Sequence, residues 1–279
     1  MIFPEASSSM SRDRRSNMLN IVVLVKQVPN TTQVKIDPVT NNLVREGVPS
    51  IVNPFDMFAI EEAVRLKERF GGEVTVISMG PLQAEEVIRY AFAMGADKGI
   101  LLSDRAFAGA DTLATSYTLS TALATLEKVD IILTGKQAAD GDTAQVPAEL
   151  AQHMGMGCLT YVTEILDVSD GTLTAYRNID VAKVKACVSL PAVLTLEKGM
   201  NDPRFPRVAD MVSASAMEIT VLHADDVNPD RSRISLDGSP TQVMKVFSPD
   251  KSKQGMRLEG SAEEVTGKLM QVLAARELI

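Results

Sequence analysis

The residues best suited to acting on a ligand lie in one run, Gly135-Lys136-Gln137-Ala138-Ala139-Asp140-Gly141-Asp142-Thr143-Ala144-Gln145-Val146. Glycine, alanine and short polar side chains leave the backbone N–H groups accessible there, and Thr143 and Gln145 add polar hydrogens. An apolar β-type run, 131–133, leads in, and a helical run, 147–154, leads out, with Pro147 suited to a first turn. Strand, small-residue loop and helix start together aim amides and a helix dipole at a bound phosphate. Gly135 and Gly141 are where tight or positive-φ backbone is expected, because a side chain there would obstruct the ligand. The run follows neither GxxxxGK[ST] nor GxGxxG. A phosphate site and an ordinary strand-to-helix connection both satisfy it.

Other chemistries have little to work with. His153 and His223 stand far apart with no local partner pattern and read as structural, and Cys158 and Cys187 lack metal-ligand spacing. Lys+Arg 28 against Asp+Glu 36 leaves a net charge of −8, which argues against nucleic acid as a partner. No apolar run is long enough to span a bilayer, so no membrane association is expected. Residues 1–17 are polar and aperiodic, without a signal peptide's apolar core, and read as a disordered extension. With so few cysteines, the expected location is cytoplasmic.

The elements that must position the loop alternate in type. Residues 19–25 form a near-continuous aliphatic run, as in a strand covered on both faces, with Lys26 and Gln27 at its carboxyl end. A turn is expected at 37–42. Asn53-Pro54-Phe55-Asp56 reads as a cap for a helix carrying Ala59, Ile60, Ala63, Val64 and Leu66 at helical spacing. Strands at 74–78, 100–102 and 130–134 alternate with helices at 83–94 and 113–126. Arg105, in the polar loop 103–112, fits a phosphate and a surface carboxylate equally well. The pattern specifies an α/β fold, a Rossmann-like doubly wound parallel sheet with right-handed crossovers. The ends of its strands bring Asn53–Asp56, Met79 and the 135–146 loop to one carboxyl edge.

After Gly157 the pattern becomes β-rich. A hairpin is expected from 160–168 and 172–179, then β-type runs at 184–190 and 192–196. The irregular loop 197–207 offers Met200 and Phe205 among Pro and Arg, a composition able to anchor a partner but also able simply to pack. A β-like segment follows at 218–222, then polar connections and a last helix, 262–277, with Val265, Leu269, Val272 and Leu273 on one face. The expected division is an extension, 1–17, a nucleotide-binding domain, 18–225, with a small β-rich extension, and a C-terminal arm, 226–279.

Five short motifs in order then carry a resemblance: Val25-Lys26-Gln27-Val28, Asn53-Pro54-Phe55-Asp56, Ser78-Met79-Gly80-Pro81, Met94-Gly95-Ala96-Asp97 and Gly135-Lys136-Gln137-Ala138. From about residue 19 to 279 the chain resembles the β subunit of electron transfer flavoproteins. The resemblance implies an adenine-nucleotide-binding domain paired with an α subunit that carries FAD. By position, Leu24, Asn53, Pro54, Phe55, Asp56, Met79 and residues Gly135 to Val146 would surround the nucleotide. Loop 197–207 matches the family's recognition loop for a partner dehydrogenase, with Met200 at the apolar anchor position, and the C-terminal arm would contact the α subunit.

Within that family, Asp140-Gly141-Asp142-Thr143-Ala144-Gln145 and segments 103–112 and 238–243 resemble the flavin-bifurcating branch. Gly141 in place of an acidic residue favours a dinucleotide by removing repulsion from its pyrophosphate. The implied cofactor is FAD, with AMP the alternative, and the implied electron donor is NADH. One electron would pass to the α-subunit FAD and an FAD-dependent dehydrogenase of lactate or acyl-CoA type, the other to ferredoxin. Asp104, Arg105 and Thr112 are the implied residues near flavin and NADH. No residue is assigned as general acid or base, which makes the chain an electron-transfer subunit within an oxidoreductase complex. An AMP-binding carrier and a non-redox adenine-nucleotide module are the alternatives, and the docking loop and arm weigh against the second.

Overall fold

The computed structural model describes residues 18–30, 49–244 and 255–279. The expected extension at 1–17 and turn at 37–42 lie outside the described residues. The chain divides into two units, Met1–Val243 and Met244–Ile279.

In the first unit, β1 (Leu19–Leu24) precedes a small antiparallel pair, β2 (Gln27–Pro29) and β3 (Ser50–Val52). Then come α1 (Asp56–Phe70), β4 (Gly72–Met79), α2 (Glu85–Met94), β5 (Lys98–Leu102), α3 (Thr112–Leu123), β6 (Ile131–Gly135) and α4 (Val146–Met154). The chain continues through β7 (Gly157–Ser169), β8 (Thr172–Ile179), β9 (Ala182–Ser189) and β10 (Ala192–Leu196). It closes with α5 (Val208–Ser215), β11 (Thr220–Leu222) and α6 (Ala224–Val227).

Nine strands make one sheet in the order β11-β5-β4-β1-β6-β10-β7-β8-β9. It is parallel from β11 to β7 and antiparallel at β8 and β9. The continuous apolar runs are explained by cover on both faces. Ile21, Val23, Ile131 and Leu133 pack with Ile60 of α1 and Ile88 of α2, whereas Val22, Ile132 and Val193 pack with Leu119 of α3 and Leu150 of α4.

Two features depart from expectation. The β-rich passage is not wholly an extension, because β10 returns between β6 and β7 in parallel, with all five residues buried. Of that passage, only β8 and β9 lie outside the parallel part of the sheet. Helix α5 lies where no helix was expected, between the loop 197–207 and β11. Strand β9 ends the sheet, with Lys183, Lys185, Cys187 and Ser189 exposed, and the opposite end is the three-residue β11.

The second unit holds α7 (Ala262–Ala275). A capping box starts it: the Ser261 N–H donates to Glu264 Oε2 at 2.9 Å, and the Glu264 N–H donates to Ser261 Oγ at 3.3 Å. No residue of α7 is buried, and Val265, Val272 and Leu273 on its apolar face are at most half-covered among the described residues.

Candidate functional site

The chain order of the strands reverses between β1 and β6. From β1 the sheet proceeds through β4 to β5, and from β6 it proceeds the other way. Leu24 and Thr134 stand side by side there. Such a reversal opens a crevice at the carboxyl edge, the usual ligand position in doubly wound sheets.

Asp56, the first residue of α1, fills the base of this crevice. Its Oδ2 accepts from the Lys26 N–H at 2.8 Å, at the end of β1. Its Oδ1 accepts from the Gly135 N–H at 3.2 Å, at the end of β6, and from Asn53 Nδ2 at 2.9 Å. Asn53 extends the connection into the loop: Nδ2 also donates to the Gln137 carbonyl at 2.8 Å, and Oδ1 accepts from the Ala139 N–H at 3.0 Å. The stretch read as a helix cap therefore joins three segments distant in sequence. Burial pushes the Asp56 carboxyl up to about 7, against the pull of the Lys26 N–H, Asn53, the Gly135 N–H and the Lys26 charge.

Gly135 is required for closeness to protein. A Cβ there would lie 2.4 Å from Asp56 Oδ1 and 2.6 Å from the Phe55 carbonyl carbon. Of the tight or positive-φ backbone expected at Gly135 and Gly141, the close approach is found at Gly135, and the positive φ falls on Asp142 (55°) and Ala144 (54°). Short polar or small residues tolerate the left-handed region when the surrounding loop imposes it, so the glycines did not mark the sites.

The rear of the loop is open. Residues 141–143 are exposed, and a Cβ on Gly141 would meet nothing within 4 Å. The N–H groups of Gly141, Thr143 and Ala144 have no acceptor among the described residues. Positive φ at alternate positions is the backbone form that gathers successive N–H groups into an anion nest. The loop is braced at its flanks by Gln137 Nε2 donating to Asp142 Oδ1 and by the Asp142 N–H donating to the Ala138 carbonyl at 2.9 Å. Lys26 Nζ pairs with Asp140 Oδ1 at 2.6 Å. Lys26 was not among the candidate site residues, although its place at the end of the first strand was the available signal. The Thr112 hydroxyl, at the start of α3, lies 3.3 Å from Gln145 Oε1 and 3.1 Å from Glu149 Oε1. Lys136 turns away, its N–H donating to the Leu196 carbonyl and its Nζ lying 3.3 Å from Glu197 Oε1.

The remaining candidates share the carboxyl edge but differ in role. Half-buried Met79 packs in the α3–α4 side of the core. Asp104, two strands from the crevice, is occupied internally: its oxygens accept from the Ala106 N–H at 2.9 Å and the Ala224 N–H at 3.0 Å. Those two bonds hold its carboxyl below the ordinary value. Arg105 is exposed, without an ion-pair partner among the described residues. Segment 238–243 meets loop 103–112, with the Asp111 N–H donating to Ser239 Oγ and Thr241 donating twice to Asp111 Oδ2.

Loop 197–207 follows β10, the strand beside β6, and is fastened along α1. Arg204 pairs with Glu61 (2.8 Å) and Glu68 (2.7 Å), while Asn201 Nδ2 donates to the Phe58 carbonyl (3.1 Å) and Glu62 (3.0 Å). Burial acts to raise the Glu61 carboxyl, but its bonds to Arg204 and Arg65 outweigh this and hold it below the ordinary value. Met200 and Phe205 were read as able either to anchor a partner or to pack, and the two divide between those roles. Met200 is half-buried against the core, and Phe205 is 90% exposed.

Sheet, reversal point and amide-bearing loop together define a doubly wound α/β protein with a candidate ligand edge at β1 and β6. The family model for the electron transfer flavoprotein domain matches residues 40–227. The β subunit of Thermoanaerobacterium thermosaccharolyticum electron transfer flavoprotein is 44% identical over 262 residues, covering 94% of this chain and 100% of the relative. CarD, of the caffeyl-CoA reductase–Etf complex of Acetobacterium woodii, is 44% identical over 263 residues, with the same coverage. FixA of Azotobacter vinelandii is 45% identical over 252 residues, covering 86% of this chain and 88% of the relative. The chain belongs to the electron transfer flavoprotein family, as a β subunit of the kind that pairs with an α subunit. Flavin or AMP association is general to that family.

Proposed function

We propose that this subunit binds FAD at the β1–β6 crevice, takes electrons from NADH and divides them between the α-subunit FAD and ferredoxin. The observation that carries the reading is the open rear of loop 135–146, where free amides and a side-chain-free Gly141 face solvent. Such a donor set fits a pyrophosphate, and the N-termini of α3 and α4 flank it. When bound, FAD supplies the chemistry of accepting a hydride and releasing single electrons. The chain's own residues bind and orient: Gly141, Thr143 and Ala144 through their N–H groups, Thr112 and Gln145 through side chains, and Arg105 as the available cation. We assign Phe205 and the neighbouring Met200 to docking a dehydrogenase, and the apolar α7 face to the α subunit. The caffeyl-CoA reductase partner in the name of CarD supports a CoA-thioester dehydrogenase over a lactate type. The setting is cytoplasmic; among the described residues no helix is long and apolar enough to cross a membrane.

The test is the cofactor content of the subunit purified with its α partner. Two FAD per heterodimer, no AMP, and bleaching by NADH are expected. One FAD with one AMP would replace the bifurcating reading with that of a simple electron carrier. A heterodimer without flavin chemistry would leave only a nucleotide-binding module.

A further inference from the structure

We propose that Asp56, with Asn53 as its arm, is a positioning residue that sets the nucleotide loop from behind without touching the nucleotide. The inference rests on the reading of loop 135–146 as the nucleotide site.

The motif residues were expected to surround the ligand, but the side-chain polar atoms of Asn53 and Asp56 are all committed to protein. Asn53 is 1% exposed and Asp56 is 5% exposed. Both amide hydrogens of Asn53 are used, on Asp56 Oδ1 and the Gln137 carbonyl, and its oxygen receives the Ala139 N–H. Both oxygens of Asp56 are used, on the Lys26 and Gly135 N–H groups and on Asn53. The parts of the motif that reach its surface are Pro54 and Phe55, exposed and half-buried respectively.

Three donors converging on one side chain are met in full by a carboxyl group, both of whose oxygens can accept. Asparagine at 56 would turn an N–H2 toward at least one of them. The hub links the ends of the two strands at the reversal point, and through Asn53 it fixes residues 137 and 139. The free amides at 141, 143 and 144 follow directly along the chain. Lys26 is the charged group acting on Asp56, and its ammonium is in turn held by Asp140 of the same loop. Gly135 completes the arrangement, since any larger residue would collide with Asp56 Oδ1.

The experiment uses the full heterodimer, stripped of nucleotide and titrated with FAD and with AMP. Asp56→Asn, Asn53→Ala and the double variant are compared at a temperature where unfolding curves show each folded. Each single variant is expected to weaken binding about tenfold or more, and the double no further than the weaker single. Such non-additivity marks two residues acting through one connection. Amide hydrogen exchange on the nucleotide-free heterodimer is expected to speed up in segment 135–145 and stay unchanged in segment 197–207. Additive losses, or faster exchange spread evenly over both segments, would overturn the positioning role and leave a general contribution to stability. If Asp56→Asn does not fold, Asn53→Ala alone decides: unchanged exchange in 135–145 refutes the proposal. If the unaltered heterodimer binds neither FAD nor AMP, the functional reading fails by itself, while the exchange comparison still judges whether Asp56 holds the loop.

Discussion

The loops after β6 and β10 hang from neighbouring parallel strands and are both tied to α1, yet by opposite means. Loop 135–146 is held at the helix start by one buried carboxylate that gathers backbone N–H groups. Loop 197–207 is held further along by ion pairs between long side chains, Arg204 with Glu61 and Glu68. A buried hub bonded to main chain sets atoms closely and is insulated from salt. Ion pairs that reach the surface, as Arg204 with Glu68 does, permit adjustment and are screened, although Glu61 at the inner end is buried. The first design suits a fixed cofactor and the second a partner that comes and goes.

The comparison can be broken in several places. The largest effect concerns Asp56. Its folded pKa, about 7, lies above the ordinary 3.8, so between those values the folded state holds a proton that the unfolded state has lost. Its contribution therefore favours folding most at low pH and declines as pH rises from about 4 to 7. Subtracting denaturant unfolding curves of Asp56→Asn from wild type should reveal on the order of 3 kcal/mol of such decline between pH 4 and pH 8. A flat difference would mean the carboxylate is not desolvated. Gly135→Ala should destabilise by about 2 kcal/mol through collision with Asp56 and Phe55, read as a lower urea midpoint. Arg204→Ala should follow at about 1–2 kcal/mol, and added salt should reduce the difference from wild type; the Asp56 effect should resist salt. Gly141→Asp, with open space at its Cβ, should alter stability by less than about 0.5 kcal/mol while weakening FAD binding. Unchanged flavin content in that variant would remove the loop's rear from the site. The smallest effect on folding is expected of Phe205→Ser, whose melting temperature should match wild type while electron transfer to the dehydrogenase slows.

What could be read in advance follows from what local sequence encodes. Aliphatic runs and helical spacing located β1, β4, β6 and the helices around them, because burial on both faces leaves a compositional mark. The order of strands leaves none: the run at 192–196 was visible as a strand, but its insertion beside β6 depends on where β7 to β9 deliver the chain. Helix α5 was missed because eight residues after Pro206 carry little periodic signal, and six of them, including Val208 and Val212, are exposed. At the site, glycine types suggested where the backbone would bend, yet the left-handed residues are Asp142 and Ala144. The hub role of Asp56 was hidden since a carboxylate at a helix start has the same local appearance whether it caps its own helix or receives N–H groups from other strands.

The last strand of the sheet bears on the life of the chain before assembly. β9 presents an unpaired row of backbone donors and acceptors, an invitation to any other extended segment in a crowded, newly made population. Lys183 and Lys185 are exposed on that strand, Lys183 turned back over the Tyr176 ring toward Glu164, and a stranger's strand would have to settle beside two ammonium groups. At the far rim, β11 is three residues long and gives a stranger little to grip. A subunit synthesised apart from its α partner thus has both rims guarded against self-association, one by charge and one by brevity.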